Sequence, residues 1–172
     1  MQTNVAQLLK SPIGSIRTIK ADTSLSYDDN QFPVKGEITL TRTHRSILAQ
    51  GTLTAEIKMI CSRCLNPFNS KIRLNVQEEY FPTIDIVTGE KMSSPEDEGG
   101  FTIDEHHVLD LTEAIRQYIV MALPMKPLCK DDCAGLCATC GKDLNEGECG
   151  CREKGIDPRW AELLKLKKSK QR

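Results

Sequence analysis

The sequence predicts an α+β fold: an antiparallel β-sheet built from hairpins, a helix packed on it, a small Cys-rich segment and a C-terminal helix. Three observations carry this. Apolar and polar residues alternate with period two in three runs between residues 34 and 76. A later run, residues 110–122, places its apolar residues at helical spacing. Beyond it, six of the eight cysteines crowd into residues 129–151, where no periodicity survives.

Taken in order, Asn4 to Lys10 reads as a short helix that Ser11-Pro12-Ile13-Gly14 ends. Residues 21–31 are polar and predict a loop. In the first alternating run Val34, Ile38 and Leu40 share a face, with Lys35, Glu37 and Thr39 opposite. Leu53, Ala55, Ile57 and Met59 form the second, and Ile72, Leu74 and Val76 the third. Each reads as a half-buried strand. Residues 82–100 are acidic and rich in Gly, Ser and Pro, the composition of a solvated connector. Asp110 is placed to cap a helix, with Glu113 at the capping-box position. Leu111, Ala114, Ile115, Tyr118, Ile119 and Ala122 make that helix's buried stripe, and Pro124 ends it. Asp157-Pro158 opens a last helix through Trp160, Leu163 and Leu164. The chain therefore divides into an α+β domain (1–124, with the acidic loop 82–100), a Cys-rich segment (125–156), and a C-terminal helix with a basic tail (157–172).

Composition narrows the function classes. With 172 residues, 39% hydrophobic and 27% charged, the chain can bury a core. No stretch nears the roughly 18 apolar residues that span a bilayer. Met1 to Lys20 lacks the apolar run of a signal peptide, so a cytoplasmic protein is expected, with no membrane partner. The net charge of −1 hides segregation. Residues 1–76 carry ten Lys/Arg against five Asp/Glu, residues 77–113 one against eleven, and residues 151–172 eight against three. Basic charge at both ends suits a nucleic-acid surface. In the tail, Lys165, Lys167, Lys168, Lys170 and Arg172 are expected to touch phosphates.

The cysteines carry the chemistry. Cys61-Ser62-Arg63-Cys64 falls between two strands, where a Cys-x-x-Cys at a hairpin tip turns backbone N–H groups toward its sulfurs. Thioredoxin-type redox sites open a helix in a βαβ unit instead, so the context argues against redox catalysis. The second cluster is Cys129, Cys133, Cys137, Cys140, Cys149 and Cys151, interspersed with Gly135, Gly141, Gly147 and Gly150. It cannot build a conventional core, and bound metal supplies ordering energy of order 10 kcal/mol. Thiolates without histidine favour Zn²⁺ over an Fe–S cluster. Eight ligands suit two closed, structural sites. Short loops cost less to close, which favours Cys137, Cys140, Cys149 and Cys151 together, leaving Cys61 and Cys64 to join Cys129 and Cys133. Pairing the knuckles Cys61/Cys64 and Cys137/Cys140 as a zinc ribbon, or one site with four spare thiols, stays open.

The remaining residues add little catalytic signal. His44, His106 and His107 read as surface histidines, and Glu78-Glu79 and Asp131-Asp132 as solvated charges. There is no phosphate-binding Gly-rich loop and no nucleophile elbow. No catalytic residue and no small-molecule substrate are expected.

Cys61-Ser-Arg-Cys64-Leu65 after a strand pair, Ala122-Leu-Pro124, Cys133-Ala-Gly-Leu-Cys137-Ala-Thr-Cys140-Gly141-Lys-Asp-Leu144-Asn145, and Asp157-Pro158-Arg159-Trp160 together resemble the YceD family. That family is associated with accumulation of large-subunit ribosomal RNA and has no established catalytic residues. The resemblance implies a non-catalytic role in ribosome biogenesis in bacteria or plastids, with ribosomal RNA, a pre-ribosomal particle or ribosomal proteins as partners. With eight aromatics, base stacking on a multi-base platform is not expected, and backbone contacts are. A zinc-ribbon transcription or protein-interaction module and a thiol redox sensor are the alternatives.

Overall fold

The three alternating runs lie side by side in one seven-stranded sheet. The structure, a computed structural model, describes residues 1–27, 30–92 and 100–151. Its elements are β1 (Gln2–Asn4), α1 (Ala6–Lys10), β2 (Ile16–Tyr27), β3 (Asn30–Arg42), β4 (Ile47–Ile60), β5 (Pro67–Pro82), β6 (Phe101–Ile103), β7 (Val108–Asp110) and α2 (Thr112–Ala122). The strand order is β1-β7-β6-β5-β4-β3-β2. Neighbours are antiparallel except β5 and β6, which run parallel. The sheet is therefore mixed and not purely antiparallel.

The loop expected at residues 21–31 is instead strand. β2 pairs with β3 from Ile16↔Thr41 to Tyr27↔Asn30. Its inner row, Arg17, Ile19, Ala21, Thr23 and Leu25, faces Leu40, Ile38, Gly36, Val34 and Phe32. Two of these five inner positions are polar, and Asp22, Ser24 and Ser26 lie on the other face. An edge strand with one neighbour tolerates this composition, since only part of its inner row must be apolar. Asn4 also departs from expectation. It ends β1, and its Oδ1 accepts the N–H of Ala6 at 3.0 Å, so the short helix starts two residues late.

One apolar cluster fills the inner face. Ile38, Leu40, Ile47, Leu53, Leu74, Ile103, Leu109, Leu111, Ile115 and Ile119 are all buried. Helix α2 touches both β5 and β2. Two strands separate those, so the sheet curls around the helix. Leu111, Ala114, Ile115 and Ile119 are fully buried beneath α2 as its spacing requires. The Tyr118 hydroxyl, at the helix edge, donates to the Gln77 carbonyl at 3.0 Å and accepts the Gln77 N–H at 3.2 Å. Asp110 accepts the N–H of Thr112 at 2.8 Å, but the N-cap falls one residue later, at Leu111, which has no side-chain cap. The capping box does not close, however, because Glu113 turns outward to Arg116 and Gln117.

At two glycines β3 and β4 leave no room for a side chain. A Cβ on Gly36 would stand 2.3 Å from the Thr52 carbonyl oxygen, and one on Gly51 2.2 Å from that of Glu37. Both obstacles are backbone, so neither can swing aside.

Part of the acidic connector is also ordered. Ile84 and Lys91 form an antiparallel bridge, and the Asp85 carboxylate accepts the N–H groups of Val87 and Thr88 at 2.7 and 2.9 Å. Residues 93–99 lie outside the described residues, as do the expected last helix and the basic tail, residues 152–172.

Candidate metal centres

The β4–β5 hairpin places the first cysteine pair. Ile60 pairs with Pro67 at the end of the ladder, so Cys61 to Asn66 form the tip. There the Cys61 N–H donates to the Asn66 carbonyl and the Leu65 N–H to the Cys61 carbonyl, each at 2.9 Å. The second knuckle repeats this. The Cys137 N–H donates to the Lys142 carbonyl and the Gly141 N–H to the Cys137 carbonyl, again each at 2.9 Å. Both turns need a left-handed residue four positions after the first cysteine, and Leu65 (φ 60°) and Gly141 (φ 74°) supply it. Leu65 bears backbone strain that Gly141 does not. The expected outcome is asymmetric. Gly141→Ala weakens the fold of its segment by about 1 kcal/mol, whereas Leu65→Gly leaves stability unchanged within about 1 kcal/mol, both read from denaturant midpoints of the metal-loaded protein.

The described cysteines gather into two groups of four, Cys61, Cys64, Cys129 and Cys133, and Cys137, Cys140, Cys149 and Cys151. Within each, all sulfurs lie within 4.8 Å of one another. The knuckles thus fall in different groups, not together as in a ribbon. Cys61 Sγ lies 3.8 Å from Cys133 Sγ, and Cys64 Sγ 3.7 Å from Cys129 Sγ. A disulfide would need about 2.05 Å. Four sulfurs on a tetrahedron about Zn²⁺, each roughly 2.3 Å from it, stand about 3.8 Å apart. The spacing fits a closed Cys₄ metal site, and no histidine joins either group among the described residues.

Each group holds one thiol ready to ionise and at least one reluctant to, the first group having two in Cys64 and Cys129. The Cys140 N–H, then that of Thr139, draws Cys137 down to about 6. The Cys64 N–H does the same for Cys61, to about 6, against its burial. Burial, then the thiols of Cys133, Cys64 and Cys61, push Cys129 up to about 12. The thiols of Cys140 and Cys149 push Cys151 up to about 12. Clustered thiols resist ionising together, and a divalent cation removes that resistance.

The two groups differ in how they are held. Cys61, Cys64 and Cys133 are buried with Phe68, Leu128 and Leu136 packed against them and Cys129 is exposed, whereas no cysteine of the second group is buried. Side chains that sequence reasoning did not single out lock the first group. Arg63 Nη1 donates to the Cys133 carbonyl at 2.9 Å, and the Ser62 N–H to the Pro127 carbonyl at 2.8 Å. Asn145 Nδ2 reaches Cys133 Sγ at 3.4 Å while its Oδ1 accepts the Ala134 N–H at 3.0 Å. Asn66 Nδ2 donates to Asp143 at 2.7 Å. Gly135 packs so close to Arg63 that a Cβ would meet its carbonyl oxygen at 3.2 Å. The spacing of the cysteines carries no signal for these cross-links.

The other predicted residues stand apart from these groups. His44 and His106 are exposed and His107 is half-buried. Glu79 accepts a short hydrogen bond from the buried Ser46 hydroxyl, so it is structural and not simply solvated. Asp131 and Asp132 are exposed.

Fold and sites together define a curled β-sheet protein whose tail is folded around two four-cysteine clusters. The chain belongs to the family described as large ribosomal RNA subunit accumulation protein YceD, which it matches over residues 49–167. It is 38% identical over 120 residues to an uncharacterized protein of Mycobacterium tuberculosis, covering 70% of this chain and 55% of that one. An uncharacterized protein of Mycobacterium leprae is 30% identical over 135 residues, covering 78% and 59%. The large ribosomal RNA subunit accumulation protein YCED homolog 1, chloroplastic, of Zea mays is 25% identical over 153 residues, covering 72% and 50%. The chain thus spans between half and three fifths of the length of these relatives. No solved structure matches it. No helix among the described residues is long and apolar enough to cross a membrane.

Proposed function

We propose that this protein is a non-catalytic, cytoplasmic ribosome-assembly factor that supports accumulation of large-subunit ribosomal RNA, with two structural Zn²⁺ ions ordering its tail. Membership of the YceD family carries the process. The two Cys₄ groups at tetrahedral spacing support the metal. Cys61, Cys64, Cys129 and Cys133 would hold one ion, and Cys137, Cys140, Cys149 and Cys151 the other. Four protein ligands leave no position for water or substrate, so the ions would brace the fold and not perform chemistry. The partner is ribosomal RNA, a pre-ribosomal particle or a basic ribosomal protein facing the acidic stretch 77–113.

Two measurements test this. Native mass spectrometry of protein purified without chelator should give two zinc ions per chain. Cells depleted of the protein should show a lowered ratio of large- to small-subunit ribosomal RNA, restored by the wild-type chain. One zinc would remove the two-site assignment, and an unaltered RNA ratio would remove the assembly role.

A further inference from the structure

Outside the cysteine groups the described surface holds a cleft of about 230 Å³ at the far end of the sheet. The β3–β4 turn supplies its charge through Arg42, His44 and Arg45, and Leu9, Ile84 and Ile86 supply an apolar wall. Among the described residues neither guanidinium lies within 4.0 Å of a carboxylate. Arg42 Nε is shut off from solvent and has no hydrogen-bond partner among them. A buried donor left empty is costly, and a guanidinium most of all. The one carboxylate in the cleft, Asp85, feels the Arg42 charge, but its Oδ1 is taken by the N–H groups of Val87 and Thr88. With His44 neutral the cleft still carries one net positive charge.

We propose that this cleft recognises the phosphate of a nucleotide, with Arg42 and Arg45 gripping the anion and the sugar or base lying against the apolar wall. Planar, forked donors match phosphate oxygens. The volume lies below the roughly 300–1,000 Å³ of drug-sized sites, which suits one nucleotide unit and not a stacked run. Resting on the proposed role in RNA accumulation, the source is one nucleotide of a single-stranded RNA; free nucleotides share the same chemistry. The site would add a backbone contact about 45 Å of strand away from the hairpin-tip cysteines, counting the length of β4.

The test is fluorescence anisotropy of the full, metal-loaded chain with a short labelled single-stranded RNA, and in parallel titration with adenosine monophosphate and inorganic phosphate. Arg42→Gln with Arg45→Gln should weaken RNA at least tenfold and lower the slope of log affinity against log salt by about 0.7, the value for one lost phosphate contact. Should the half-buried Arg42 prove necessary for folding, Arg45→Gln with His44→Gln touches only exposed side chains, and thermal melting verifies the fold. The control Lys35→Gln with Arg73→Gln, on the opposite sheet face, should leave the cleft's binding unchanged. Adenosine monophosphate that binds and is lost in the same variants, without RNA binding, supports the site with free nucleotide as its source. Folded cleft variants that bind like wild type, or a wild type that binds no probe, overturn the proposal. Neither result touches the assembly role, which stands or falls on the RNA ratio in depleted cells.

Discussion

Replacing Cys133 with serine is expected to release the segment after α2 from the hairpin tip while the sheet survives. Cys133 is buried, its sulfur stands 3.8 Å from that of Cys61, and its carbonyl takes the Arg63 guanidinium. A missing ligand removes most of a structural zinc site's folding energy, which is of order 10 kcal/mol. What then remains between the two parts is a small apolar patch around Phe68, Leu128 and Leu136. On the proposed two-ion assignment, metal content should fall from two ions to one, because the second group shares no ligand with the first. Limited proteolysis should open new cuts within residues 124–136, while amide exchange in β3, β4 and β5 stays slow. Loss of protection across those strands would mean that sheet and tail share one cooperative unit.

Gly36→Ala is expected to act in the opposite sense, unfolding the sheet. Its new methyl would sit 2.3 Å from the Thr52 carbonyl oxygen and 2.9 Å from Leu53 Cα. Relief requires β3 and β4 to separate at the centre of the sheet, breaking ladder bonds above a core of fully buried residues. A loss of about 4 kcal/mol or more is expected, the range reserved for strain and overpacking in cores. Gly51→Ala should match it, being blocked by the Glu37 carbonyl at 2.2 Å. Urea unfolding followed by far-UV circular dichroism measures both. An effect under about 1 kcal/mol in either would show that the strands can part cheaply.

Sequence patterning was informative where one physical constraint dominated. Val34, Leu53 and Leu74 announce strands because each lies in a row that packs wholly on the core, where one face must be apolar throughout. Arg17 and Thr23 defeat the same test in β2, since at the edge the inner row is only partly enclosed. Loop-closure entropy singled out Cys137, Cys140, Cys149 and Cys151 as a group, which the sulfur positions match. By contrast, the Arg42 cleft draws on residues 9, 42–45 and 82–92. No local pattern marks residues that meet only through the curl of the sheet.

The two cysteine groups also differ in how far apart in the chain their members lie. Cys61 and Cys133 are separated by 72 residues, and Cys64 and Cys129 by 65, so β5 to α2 must be in place before those sulfurs meet. Cys137 to Cys151 form a local set that needs nothing else folded. On the proposed zinc assignment, the second ion needs only residues 137–151 to be arranged. The hairpin ion needs distant parts of the chain brought together, so its presence reports that the sheet has been built.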